Sequence, residues 1–219
     1  MATDEAIRQW VEFARGAGYL RVSGERRFGS DLAKVLAIEE EERSLFLFAR
    51  RSGLGFPERV VERIAGGPSP RSGAEHRVYF DLPDFGRVLK ITHPGKYGRR
   101  EHTVFQYLER WDLMNQIAPA VDVRFEDCIR SDTGEFSVVM SMQFIAGPHP
   151  ELDAVVEFVE RRGFETLRDR SITLDFVNWN EGLILRDCHP KNWIAAGGAL
   201  VPVDIIPEVV EEQAGGGDA

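Results

Sequence analysis

The chain has 219 residues, 43% of them hydrophobic and 29% charged, and a formal net charge of −9 at pH 7. That composition supports one sizeable core, or one domain with an extension, and excludes general disorder. The acidic balance disfavours nucleic-acid binding, no apolar run is long enough for a membrane span, and two cysteines, Cys128 and Cys188, are too few for a disulfide framework, so a cytoplasmic protein with reduced thiols is expected.

Ile7, Trp10, Val11 and Ala14 recur at helical spacing, which predicts a helix over 4–15 with Thr3 as cap and Gly16 and Gly18 as stops. Residues 31–51 carry "EEEER" early and "ARR" late, a charge order that suits one or two further helices. Pro57 opens a short one, "PERVVERIA", and "GGPSPRSG" (66–73) breaks the pattern. From 74 the texture changes. "HRVYFDL" and "GRVLKIT" read as strands about a "PDFG" turn, 97–111 as a helix, and "AVDVRFEDCI" and "EFSVVMSMQFI" as two strands about "SDTG". Residues 151–162 read as an amphipathic helix with Leu152, Val155, Val156, Phe158 and Val159 on its buried side. The organisation expected is a helical extension over 1–65, a sheet-rich region over 66–146, a smaller region over 147–210 and a flexible tail over 211–219.

The chemistry gathers at "LRDCHPKNWIAAGGALVPVD". Gly197-Gly198 between apolar runs is a hairpin signal. Counted outward from that turn, Asn192 faces Val203, so Asn192 and Asp204 share the open end of the hairpin, about 5 Å apart. Asp187 lies five residues before Asn192, on the loop that enters there. Oxygen donors so placed suit Mg²⁺, which takes few protein carboxylates and leaves room for phosphate. The order Arg-Asp-x-x-x-x-Asn, hairpin, Asp is that of the catalytic loop and metal-binding aspartate of kinase-like enzymes, in which Asp187 orients the attacking hydroxyl and Asn192 and Asp204 hold the ion. His189 reads as a brace for the loop, Cys188 has no catalytic part, and Lys191 is either a phosphate contact or solvated.

The upstream half matches. The chain has 23 Arg and only four Lys, and Lys90 lies within the apolar strand "RVLKIT". A compact point charge there suits a grip on ATP phosphates better than a surface role. Its glutamate partner is expected on the following helix. Val104, Leu108 and Trp111 set the apolar face, on which Glu101 lies, whereas Glu109 points away from it. Gly73 in "SGAEHRVYF" is the one glycine at the phosphate-side turn, where kinases write G-x-G-x-x-G. Gln143, Phe144 and Ile145 fall where an adenine-binding segment belongs.

Taken together, "SGAEHRVYF", "RVLKITHPGKYG", "YLERWDLMN", "SMQFIAG", "RRGFE" and the 187–204 stretch resemble the kinase domain found in polyvalent proteins of phages and mobile elements, with a filling, "D-x-H-P-x-N", similar to that of aminoglycoside phosphotransferases. The resemblance covers about 70–206. It implies an α+β, protein-kinase-like two-lobed fold: an antiparallel-sheet N-lobe, a reduced helical C-lobe, and ahead of them the helical extension. It also implies ATP and Mg²⁺ as cofactors and a protein or small-molecule hydroxyl as acceptor. After Asp204 stands "IIPEVV" in place of Phe-Gly, with 15 residues left, few for an activation segment. That and the single glycine keep a second reading open, a catalytically silent nucleotide-binding or scaffolding module. No feature points to AMP transfer.

Overall fold

A computed structural model describes residues 3–16, 31–55, 71–80, 86–98, 103–167 and 174–210. The expected helix at Pro57, most of the "PDFG" turn and the 211–219 tail lie outside the described residues. The chain divides into two compact units, Met1–Phe144 and Ile145–Ala219. The architecture is mixed α/β, with antiparallel sheets and, among the described residues, four α-helices. None of these helices is long and apolar enough to cross a membrane.

The first unit is built on a five-stranded sheet. Its strands are β1 (Arg71–Ser72), β2 (His76–Tyr79), β3 (Arg87–Thr92), β4 (Arg124–Arg130) and β5 (Phe136–Gln143), in the order β1-β2-β3-β5-β4, every pair antiparallel. Strand β5 is buried from Phe136 to Met142. A strand covered on both faces has no solvent side to mark with polar residues, hence the near-continuous apolar run "FSVVMSM".

Helix α1 (Thr3–Gly16) packs on α3 (Val104–Ile117) and β4. The predicted stripe Ile7, Trp10, Val11 and Ala14 is fully buried, with the Trp10 ring 6.2 Å from that of Phe105. Burying each of the larger side chains contributes about 1.5–3 kcal/mol. Helix α2 (Asp31–Arg51) buries Glu41, Leu45 and Ala49, and its Arg50 lies 3.2 Å from Asp127 of β4.

Three expectations are corrected here. The helix expected over 97–111 runs over Val104–Ile117, because Thr103 and Gln106 form a reciprocal capping box that sets its start seven residues later than the apolar pattern suggested. Glu109 does not point away from the packed surface. It is 6% exposed and paired at 2.9 Å with Arg15 of α1, since α3 is covered from both sides and its buried face is not one stripe. The strand expected from Ala120 begins only at Arg124, after a 3₁₀ turn (Pro119–Val121) and Asp122 at φ 44°.

The Glu41 carboxylate accepts the Phe105 N–H, 2.9 Å, in the first turn of α3. Burial pushes it up from 4.5 to about 7, against the bonds from Phe105 and Thr103. Between these two values the folded chain holds a proton that the unfolded chain has released. Stability therefore falls as pH rises through this window, by on the order of 3 kcal/mol in full. Glu41→Gln keeps the acceptor and removes the charge. It is expected to melt higher than the parent at pH 8 and level with it at pH 4, as read by thermal denaturation at both pH values.

The second unit carries a sheet of β6 (Glu165–Thr166), β7 (Phe176–Asn178), β8 (Leu183–Arg186) and β11 (Ile206–Val209), in the order β11-β8-β7-β6, and a separate hairpin of β9 (Trp193–Ala196) and β10 (Ala199–Pro202). Its one described α-helix is α4 (Leu152–Glu160). A reduced helical region was expected, but the described part holds more strand than helix. Its apolar runs are four residues or shorter and end at turns such as Trp179–Gly182, too short to close a helix. Val155 and Val159 of α4 are buried as expected, whereas Leu152, in the first turn, is 47% exposed. Phe158 meets the buried Trp193 ring edge-on at 5.7 Å, while Trp179 stands 63% exposed at its turn. A Cβ at Gly147 would come within 2.2 Å of the Ala195 carbonyl oxygen, so only glycine lets the chain pass this hairpin.

Candidate active site

In the second unit, β8 delivers the loop 187–192 and β9 leads away from it. The β9–β10 register has Pro202 opposite Trp193, and the Val203 N–H donates to the Asn192 carbonyl at 2.8 Å, so the hairpin count from its turn holds. Pro190–Asn192 form one 3₁₀ turn, closed by the Asn192 N–H on the His189 carbonyl. This turn folds Asn192 back onto the start of the loop. Its Nδ2 donates to the Asp187 carbonyl oxygen at 2.7 Å and to Asp187 Oδ2 at 2.9 Å. With the amide nitrogen so engaged, Oδ1 is the atom left to meet a cation. Asp204 follows Val203 directly and is half-buried.

Asp187 stands at φ 55°, one of two non-glycine residues with positive φ among those described. An aspartate tolerates this conformation better than most residues but persists in it only where its surroundings demand it. The demand comes from Asp175, 3% exposed, just before β7. Its Oδ1 accepts the Asp187 N–H at 3.1 Å and its Oδ2 accepts Arg186 Nη1 at 3.1 Å. Arg186 also donates through Nε to Glu208 of β11 at 2.6 Å. The Asp187 side chain is 37% exposed, with His189 Nε2 3.8 Å from its Oδ1. Cys188 is buried, and burial, then Asp175 and Asp187, push its thiol well above the usual range, which removes nucleophilic character.

In the first unit, Lys90 is 6% exposed, between Val78 of β2 and Met140 of β5. Its Nζ lies 4.9 Å from the centroid of the buried Trp111 ring of α3. Glu101, the partner expected for Lys90, lies outside the described residues. Gly73 sits in the turn between β1 and β2, donating to the His76 carbonyl at 2.8 Å. Gln143 ends β5, exposed, opposite Arg87; Phe144 is half-exposed and ends the first unit, and Ile145 begins the second.

Asp175 and Glu208 were not singled out from sequence, and Arg186 was read only as the first residue of the loop motif, without its two carboxylate partners. The one signal for Asp175 is a carboxylate placed directly before the apolar run "FVNW", a pattern that a buried partnered acid shares with an ordinary strand start. For a metal, no group of three or more His, Cys, Asp or Glu side chains among the described residues could hold an ion. One amide oxygen and one carboxylate remain, a donor set that fits Mg²⁺ completing its shell with phosphate and water.

An antiparallel five-stranded sheet with a helix between its third and fourth strands, a buried lysine on β3, and Asp-x-x-x-x-Asn before a hairpin and an aspartate are the parts of a kinase-like domain. Residues 38–210 match the family model described as the serine/threonine/tyrosine kinase found in polyvalent proteins, and the chain belongs to that family. Searches of curated proteins and of solved structures returned no match.

Proposed function

We propose that this chain is an ATP- and Mg²⁺-dependent phosphotransferase of two-lobed, protein-kinase-like design, which moves the γ-phosphoryl group to a hydroxyl of a protein or small molecule. The lobes correspond to the sheet-rich residues 66–146 and to 147–210, after an extension over 1–65. The observation that carries the reading is the double hydrogen bond from Asn192 to Asp187. It locks the loop so that one side chain offers an oxygen to a cation while its neighbour offers a carboxylate to a hydroxyl. Asp187 orients the acceptor hydroxyl and receives its proton, a contribution of about 10²–10⁴ in rate. Asn192 and Asp204 hold Mg²⁺, which supplies charge neutralisation at the ATP phosphates. Lys90, with Glu101 as its partner, binds the phosphates; Gly73 lets the backbone approach them; Gln143, Phe144 and Ile145 line the adenine side.

The test pairs Mg·ATP titration by calorimetry with product analysis from labelled ATP. Asp204→Ala removes a ligand and is expected to weaken Mg·ATP binding at least tenfold and to lower turnover, while ATP without metal binds both proteins alike. A parent that does not bind Mg·ATP would overturn the reading. The alternative, a silent nucleotide-binding module, draws on the β1–β2 turn, where Gly73 is the only glycine to admit phosphate. It is favoured if the parent binds Mg·ATP and forms neither phosphorylated product nor ADP with any acceptor offered, itself included.

A further inference from the structure

The β1–β2 turn that bears Gly73 is fastened at its far end. Glu75, the residue before β2, has a largely buried carboxylate whose two oxygens each lie 3.0 Å from Arg110 Nη1. His76 Nε2 lies 3.1 Å from the same carboxylate and 2.9 Å from the Tyr107 hydroxyl. Burial works against the charge of Glu75, but Arg110 and His76 outweigh it and hold the acid down at about 2, ionised at any physiological pH. Arg110, 3% exposed, belongs to α3, and its guanidinium carbon stands 4.6 Å from the Trp111 centroid, the ring that also carries Lys90 Nζ at 4.9 Å. The backbone of the turn is held as well: the Glu75 carbonyl accepts the His93 N–H at 2.8 Å, and His93 Nε2 lies 3.1 Å from the Gly73 carbonyl oxygen.

A buried ion pair is a weak means of adding stability, because desolvation offsets most of its attraction. Its better-attested use is to fix one arrangement, and the arrangement fixed here is that of the turn relative to α3. With a single glycine the turn lacks the flexible loop by which kinases close backbone amides over phosphates. It must be held in place instead of closing. We propose that Glu75 and Arg110 are a positioning pair, tying the Gly73 turn to α3 and to the Trp111 ring beneath Lys90, so that turn amides and lysine present one preset cradle to nucleotide phosphates.

The proposal rests on the nucleotide-binding reading above, and its test separates the two. Mg·ATP affinity is measured by calorimetry for the full chain, Glu75→Gln, Arg110→Lys and the double variant, with thermal melts for each. Arg50→Gln, which breaks the 3.2 Å pair with Asp127 of β4, at the other edge of the sheet, serves as a purely structural control. Each single variant is expected to bind Mg·ATP at least tenfold more weakly, and the double variant no more weakly than either single, since the two side chains act as one unit. The control is expected to lose melting temperature and keep the parental Kd. Where transfer is measurable, KM for ATP rises and kcat at saturation changes less. Folded Glu75→Gln and Arg110→Lys with parental Kd overturn the pair while leaving the kinase reading intact, as do losses that add in the double variant. If Glu75→Gln does not fold, Arg110→Lys, which keeps the charge and loses the planar fork, decides alone. A parent that binds no Mg·ATP overturns the reading beneath.

Discussion

Asp187→Asn is expected to leave Mg·ATP affinity within about twofold of the parent and to lower phosphoryl transfer by about 10²–10⁴. Asparagine keeps the size of the side chain, and the backbone carbonyl that takes the Asn192 amide is untouched, so the loop retains one of its two bonds. The bond to Oδ2 is weakened or must reorient, which bears on turnover more than on nucleotide binding, because Asn192 reaches a cation through its oxygen. The measurement is single-turnover transfer from labelled ATP beside calorimetric binding. Unchanged turnover would remove Asp187 from the chemistry; equal loss of binding and turnover would make it a ligand or a structural residue.

Asp175→Ala is expected to destabilise the second unit by roughly 3 kcal/mol. It deletes a 3%-exposed carboxylate and leaves two donors, Arg186 Nη1 and the Asp187 N–H, without the acceptor they now share. Stranding a buried donor costs about 1–3 kcal/mol, more where the donor is charged. Glu208 limits the loss by keeping its bond to Arg186 Nε. Denaturant unfolding followed by circular dichroism measures the effect. Asp175→Asn restores one acceptor oxygen and is expected to recover part of it; a variant as stable as the parent would show that Asp187 holds its positive φ unaided.

The parts of this fold legible in sequence are those in which one local pattern met one neighbour. The stripe of α1 has a single covered side, and its four marker residues are all buried. The Gly197-Gly198 hairpin carries its own register, so a count from the turn places Asn192 opposite Val203. Helix α3 failed the same treatment because α1 covers the side on which Glu109 lies, and periodicity cannot report a second partner. Its start was legible in principle, since Thr103 and Gln106 have capping-box spacing, but the apolar pattern outweighed that cue. The Asp187 loop was legible as a motif, whereas its support was not. Asp175 lies twelve residues upstream, and nothing in a run such as "LDFVNW" distinguishes an acid that turns inward from one that caps a strand in water.

The placement of indole rings has an experimental consequence. The four tryptophans fall two to each unit: Trp10 and Trp111 in the first, Trp193 and Trp179 in the second. Three are buried and Trp179 is 63% exposed, so unfolding shifts the emission of three to the red and barely alters that of the fourth. Trp179→Phe removes a constant background at an exposed position. In that variant, Trp193 alone reports on the second unit, against two reporters in the first. Emission and far-ultraviolet dichroism that fall together in denaturant indicate that the units unfold as one; separated midpoints give each its own stability, without cutting the chain.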